Sequence, residues 1–143
     1  MEESILVERP AGEVFEYLTD PARVPDWLVN VVFMSLDTPG GLRQGARLTE
    51  VRRLLGREMQ NTIEVVEYDP PYRFATRVLT GPVPHEITNT LTEVDGGTRI
   101  DRLVVGDPGA FFGIPEERAA GAVRRQIWNG LATLKDILES RSE

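Results

Sequence analysis

The sequence predicts an α+β fold in which a curved antiparallel sheet of six to seven strands wraps around a long C-terminal helix, with two short helices between strands 1 and 2. Residues 45 to 106 form a run of strand-like segments, and one amphipathic helix follows at about 115–140. At about 4.8 Å per strand the sheet is about 30 Å wide, whereas a helix is only about 10 Å across. Because the sheet can cover its apolar face only by curling around the helix, we expect a cavity for a ligand between them.

The N-terminal part predicts a strand, a helical elbow and a second strand. Residues 4–8 have strand character, and Pro10 then stands in the first turn of a helix, where its missing amide costs nothing. Asp20-Pro21 ends this helix, a second short helix interrupted by a proline occupies 21–28, and residues 29–37 form the next strand.

The sheet continues through five further strands, which we expect at about 46–54, 58–68, 72–80, 85–94 and 98–105. Asp95-Gly96-Gly97 is the strongest hairpin signal, because tight hairpin turns need positive φ angles. The last helix carries an apolar stripe at steps of three or four residues: Ala120, Val123, Ile127, Leu131, Leu134 and Leu138. Small side chains at 119–122 predict unfilled space beside the N-terminal half of this helix.

Composition excludes several classes of protein and site. A chain of 143 residues has the usual size of one domain. Its net charge of −7 disfavours nucleic acid and anionic membrane surfaces as partners. The absence of cysteine excludes disulfides and thiolate sites, and the single histidine, His85, excludes a multi-histidine metal centre. No apolar run could span a membrane, and the acidic N-terminus lacks a secretory pattern. We therefore expect a cytoplasmic protein with no metal, cofactor or stable membrane insertion.

Several polar residues fall on the face of the sheet that should be buried. Alternate residues of a strand point inward, so apolar neighbours identify the polar residues that share the inner face. Asn61 is in phase with three apolar residues of its strand, Met59, Ile63 and Val65. His85 and Asn89 are in phase with Ile87 and Leu91, and the strand at 72–80 presents one face made of Tyr72, Phe74, Thr76 and Val78.

For two strands the sequence does not decide which set of alternating residues faces inward. At 46–54 the inward set is either Leu48, Glu50, Arg52 and Leu54 or Thr49, Val51 and Arg53. At 98–105 it is either Ile100, Arg102 and Val104 or Asp101, Leu103 and Val105. Either choice places a charge inside, and a buried charge needs a partner or water. A water-containing pocket with a few polar groups on apolar walls meets that need and is typical of a small-molecule site.

The candidate ligand-binding residues are therefore Trp27, Asn61, Tyr72, His85, Asn89, Arg102, Val123 and Ile127, with His85 also the candidate catalytic residue. Purely structural roles remain open: the asparagines could bond to each other or to backbone, His85 could be a partly exposed hydrogen-bonding residue, and Arg102 could pair on the surface. Trp27 and Trp128 lie where the elbow and the helix edge would border a pocket mouth. The loop 108–113, with two phenylalanines between glycines, predicts either an apolar lid or a permanently packed loop.

Sequence motifs along nearly the whole chain resemble a known superfamily. They are Ala11-Gly12-Glu13-Val14-Phe15 with Leu18, Asp20-Pro21, Pro25-Asp26-Trp27, Val66-Glu67-Tyr68-Asp69-Pro70-Pro71, Gly81-Pro82, Gly96-Gly97-Thr98-Arg99, and Leu131 to Leu138. The chain resembles the START-like (SRPBCC, helix-grip) superfamily, and within it the bacterial polyketide cyclase/dehydrase and lipid-transport group. The resemblance implies the helix-grip fold and a single START-like ligand-binding domain over residues 1–143.

The resemblance also implies three functions. The first is binding of a small hydrophobic molecule (lipid, isoprenoid or polyketide-like) between the sheet and the C-terminal helix. The alternative is a cyclase/dehydratase acting on a poly-β-keto or aromatic substrate. The resemblance assigns no catalytic residues to it; the residue types themselves suggest His85 as general acid or base, and Arg102 or Arg52, with Tyr72, to stabilise an enolate oxygen. A co-chaperone-like protein-interaction module is the second alternative. Whether a second copy of the chain is a partner, in a homodimer, is left open by the sequence.

Overall fold

The computed structural model describes residues 1–54, 56–106 and 113–141 and confirms the predicted α+β fold. The elements in chain order are β1 (Glu2–Val7), α1 (Ala11–Thr19), α2 (Val24–Trp27), β2 (Val31–Leu36), β3 (Arg47–Leu54), β4 (Arg57–Asp69), β5 (Arg73–Thr80), β6 (His85–Val94), β7 (Gly97–Gly106) and α3 (Glu116–Glu139). Seven antiparallel strands form one curled sheet in the order β1-β7-β6-β5-β4-β3-β2. The sheet curls around α3, as the mismatch in width between sheet and helix predicts.

Two short helices connect the opposite edges of this sheet. Because β1 and β2 are the two edge strands, α1 and α2 must carry the chain from one edge to the other. The elbow contacts β6 and β7 through α1, and β2 and α3 through α2. Pro25 lies in the first turn of α2, where no intrahelical amide bond is needed, so it starts this helix rather than interrupting it.

The inner face of α3 packs the core. Leu131, Leu134 and Leu138 are fully buried, and Val123 and Ile127 are nearly so. In the first turn the buried residue is Ala119, whereas the predicted Ala120 is half-buried, since Ala119 lies one helical turn before Val123.

Arg9, just after β1, fixes the C-terminal end of α3. Its Nε donates to the carbonyl oxygen of Leu138 at 3.0 Å, and its Nη2 donates to those of Glu139 at 3.2 Å and Arg141 at 2.7 Å. A cation at this position satisfies carbonyls that lack helical partners and complements the helix dipole. The C-terminal end of α3 is thereby anchored to the segment between β1 and α1.

A register shift in β4 controls which aromatic residues point inward. The β4–β5 pairing shifts between Val65 and Glu67, after which Tyr68 lies opposite Phe74. Tyr68, Phe74 and Phe15 then form an edge-to-face cluster with ring centroids 5.6–6.3 Å apart. Such contacts stabilise beyond their buried area.

Candidate functional site

Among the residues that the structure describes, three small cavities lie between the sheet, the elbow and α3. The elbow cavity (Leu18, Trp27, Leu28, Glu50, Phe74 and Asn89) has a volume of about 40 Å³, as does the histidine cavity (Met59, Asn61, Val83 and His85). The helix cavity (Asn30, Ile87, Val104 and Ile127) has about 30 Å³. Arg52 lines all three, and Arg102 lines the elbow and helix cavities. Since one water needs about 10–15 Å³ of such space, each cavity has room for only a few waters.

One wall of the interior carries a buried cluster on β3 and β4. Strand alternation turns Glu50 and Arg52 inward, and the β3–β4 register places Glu50 opposite Asn61. Arg52 Nη2 donates to Glu50 Oε2 at 2.9 Å, and Asn61 Nδ2 donates to Glu50 Oε1 at 3.0 Å. Both carboxylate oxygens therefore already have a donor.

The facing wall carries a second pair on β6 and β7. Asn89 and Arg102 lie opposite each other in the register, and Arg102 Nη1 donates to Asn89 Oδ1 at 2.9 Å. Asn89 Nδ2 donates to the carbonyl oxygen of Phe74 at 3.3 Å, which holds the amide in this orientation. The guanidinium carbon of Arg102 lies 5.3 Å from the ring centroid of Trp27, in the geometry of a cation–π contact.

The charged groups of the interior do not balance. Burial alone would raise the pKa of Glu50, but the guanidinium of Arg52 and hydrogen bonds from Asn61 and Arg52 outweigh it, so the pKa lies below its ordinary value. Burial and the charge of Arg52 lower the pKa of Arg102 to about 9, which leaves its guanidinium charged at neutral pH. Two cations and one carboxylate thus face the interior, with an excess of one positive charge.

His85 is held neutral at the edge of this group. Its Nδ1 donates to the carbonyl oxygen of Val83 at 2.8 Å, which assigns the proton to Nδ1 and leaves Nε2 as an acceptor. Burial and the charge of Arg52 lower the pKa of His85, because both penalise the imidazolium. Opposite it on β7 stands Gly106, where a Cβ atom would lie 2.7 Å from the Cβ of His85. Glycine at that position leaves room for the ring.

Three buried polar atoms around these cavities lack a hydrogen-bond partner among the described residues. They are Nε1 of Trp27, Nε of Arg52 and Oδ1 of Asn61. Buried polar groups nearly always have partners, so each unpaired atom calls for water or a ligand. Two of the three are donors.

The structure brings most of the predicted site residues together. Seven of them border the cavities: Trp27, Asn61, His85, Asn89, Arg102, Val123 and Ile127. The open phases resolve to the sets containing Leu48, Glu50 and Arg52 and containing Ile100, Arg102 and Val104.

Tyr72 is placed away from the group. It is 44% exposed, and its hydroxyl group donates to Glu93 Oε1 at 3.1 Å. The reason is that β5 begins at Arg73, so Tyr72 belongs to the preceding turn, where its N–H donates to the carbonyl of Asp69. Trp128 likewise lies on the outer side of α3, 47% exposed. Of the predicted lid at 108–113, residues 108–112 lie outside the described residues.

Gln126 was not predicted and lines both the histidine and helix cavities, with its Oε1 accepting from Asn30 Nδ2 at 3.3 Å. It lies one helical turn from Val123, so the period of the apolar stripe could have identified it. Within the described ranges, no group of three His, Asp or Glu side chains is arranged to hold a metal ion. In the same ranges, no helix is long and apolar enough to cross a membrane.

Solved structures with the same fold come from diverse sources. A protein of Thermus thermophilus has a TM-score of 0.82 at 17% identity, with 99% of each chain covered. A conserved protein of Geobacillus kaustophilus has a TM-score of 0.77 at 18% identity, covering 96% of this chain and 93% of its own. DynU16, a putative protein in the dynemicin biosynthetic locus, has a TM-score of 0.70 at 24% identity, and the match covers 98% of this chain but 47% of DynU16.

Among curated proteins, none matches the sequence significantly. A family model, in contrast, matches residues 1–139, nearly the whole chain, and its description is polyketide cyclase/dehydrase and lipid transport. The seven-stranded curled sheet around α3 agrees with that assignment. The chain therefore belongs to the polyketide cyclase/dehydrase and lipid transport family, within the SRPBCC (START-like) superfamily.

Proposed function

We propose that the protein binds a small hydrophobic molecule (lipid, isoprenoid or polyketide-like) in the interior between the sheet and α3. The observation that carries the proposal is the set of unpaired polar atoms of Trp27, Arg52 and Asn61 on walls made largely of apolar side chains. A few polar groups among apolar ones are the usual composition of a small-molecule site. Membership of a lipid-transport and cyclase family supports it.

Binding requires the three cavities to become one. Pockets for such ligands have volumes of about 300–1,000 Å³, far above the separate volumes here. Arg52 borders all three, so the connection between them would pass beside its side chain. The ligand would then lie along the face of α3 that carries Val123 and Ile127.

The experiment combines native mass spectrometry of the purified protein with calorimetric titration of lipids, isoprenoids and aromatic polyketide-like compounds. Val123→Phe fills the space beside two cavities and should weaken binding by about tenfold or more, equivalent to about 1.4 kcal/mol. Asn129→Phe adds the same ring on the exposed side of α3 and should leave binding unchanged. If Val123→Phe folds poorly, Val123→Leu replaces it in the test and should weaken binding by a smaller factor. The proposal fails if no ligand co-purifies or binds, or if both phenylalanine variants bind equally well.

One observation favours a cyclase/dehydratase as the second candidate. His85 presents a neutral imidazole with Nε2 as an acceptor, and it shares a cavity with Arg52. A neutral imidazole can remove a proton beside a carbonyl while a guanidinium stabilises the enolate oxygen. Under this proposal His85→Ala abolishes turnover of a poly-β-keto substrate while binding persists. Unchanged turnover in that variant excludes His85 as the base.

A further inference from the structure

We propose that the ligand carries one anionic oxygen group (a carboxylate, enolate or phenolate), which binds in the elbow cavity between Arg102, Arg52 and Trp27, with its apolar remainder along α3. The inference rests on the proposed function and specifies the chemical class of its ligand. The guanidinium of Arg102 belongs to a residue that is only 6% exposed.

Arg102 faces the interior without a carboxylate of its own. Within the described ranges no carboxylate lies within 4.0 Å of its guanidinium, whose neighbours are the amide of Asn89 and the ring of Trp27. Glu50 also lines the elbow cavity, but its two oxygens accept from Asn61 and Arg52. A buried cation with neutral partners is costly, and an anionic group from outside would compensate it.

The unpaired donors match the same group. Nε1 of Trp27 and Nε of Arg52 have hydrogens to donate and no acceptor among the described residues. Both residues line the elbow cavity together with Arg102. An oxygen anion accepts several hydrogen bonds at once, whereas an amine would meet two guanidinium groups and an ester or hydrocarbon would leave the positive charge uncompensated.

The rest of the cavity suits an apolar body. Leu18, Val24, Ile63 and Ile87 line the elbow cavity, and Val123 and Ile127 continue the apolar surface through the helix cavity. The arrangement therefore selects an amphipathic acid rather than a neutral lipid.

The test measures calorimetric affinities for matched pairs: dodecanoic acid with its methyl ester, and 2-naphthoic acid with 2-naphthamide. The wild-type protein should prefer each acid by about tenfold or more, the size of a charge-assisted hydrogen bond. Arg102→Gln should lose the preference while it still binds the neutral partner, and Arg102→Lys should retain part of it. Arg99→Gln removes the same charge from the outward side of β7, where Arg99 pairs with Asp101, and should behave as the wild type.

Equal affinity of the wild type for acid and neutral partner overturns the inference, even if Arg102→Gln fails to fold. So does an acid preference that survives in Arg102→Gln. Binding without preference leaves the proposed function standing, whereas no binding of either partner in any pair overturns both.

Discussion

Arg52 donates a hydrogen bond from Nη2 to Oε2 of Glu50 over 2.9 Å, and the two residues lie two positions apart on the inner face of β3. Asn61 holds the other carboxylate oxygen from the neighbouring strand. This ion pair places a charged group at the junction of all three cavities, where a closely packed core would carry apolar side chains. Its consequences for stability can be measured directly.

Glu50→Gln should lower the free energy of unfolding by about 3 kcal/mol, because it leaves the buried Arg52 without a counter-charge and turns an amide donor toward existing donors. The matched control is Glu58→Gln, which breaks an exposed pair with Arg53 and should cost less than about 1 kcal/mol. Urea denaturation of both variants gives the comparison. Equal losses in the two variants would contradict a stabilising role for the buried pair.

His85 should make stability depend on pH near neutrality. Burial and Arg52 lower its pKa below the ordinary 6.5, so the folded state binds fewer protons than the unfolded state as the pH falls. The free energy of unfolding should therefore decrease from about pH 7.5 to about pH 5.5, by at most about 1.4 kcal/mol per pH unit for this one group. The stabilisation that neutral His85 contributes is complete above its pKa in the unfolded chain, and it is lost progressively as the pH falls toward its pKa in the folded protein.

His85→Gln tests this directly, since His85 is the only histidine of the chain. The free energy of unfolding, taken from denaturation curves across that pH range, should change less steeply with pH in the variant than in the wild type. Identical slopes would mean that burial does not disfavour the imidazolium.

Two glycines of α3 should respond in opposite directions to the same substitution. A Cβ at Gly130 would lie 2.6 Å from Cδ2 of Leu28, whereas a Cβ at Gly121 would have its nearest neighbour at 3.5 Å, the Nη1 of Arg125. Gly121→Ala should stabilise by up to about 1 kcal/mol through helix propensity. Gly130→Ala should destabilise by about 1–3 kcal/mol, because Leu28 must move away from the helix. Thermal unfolding gives the change in Tm for each variant. An increase in Tm for both would refute the close packing of α2 on α3.

Local sequence patterns predicted the elements and many of the residues that line the cavities. Asn61 and Asn89 could be placed inward because each lies in phase with the apolar residues of a strand that has one clear apolar face. The strand containing Glu50 and Arg52 carries apolar residues in both phases, so alternation alone left the choice open. Tyr72 was assigned to the inner face on the same reasoning, but the strand begins one residue later, and Tyr68 takes the inward position after the register shift of β4.

The order of strands and helices, the hairpin turns and the polar residues of strands with one clear apolar face could be predicted from sequence, because these depend on neighbours along the chain. The sharing of Glu50 by Arg52 and Asn61, and the neutral partners of Arg102 opposite them, could be seen only in the folded chain. Those contacts depend on strand register and on the curl that brings β3 and β7 around one helix. The excess positive charge of the interior, and the lowered pKa of His85, follow from that arrangement because burial and charge separation are properties of the folded chain.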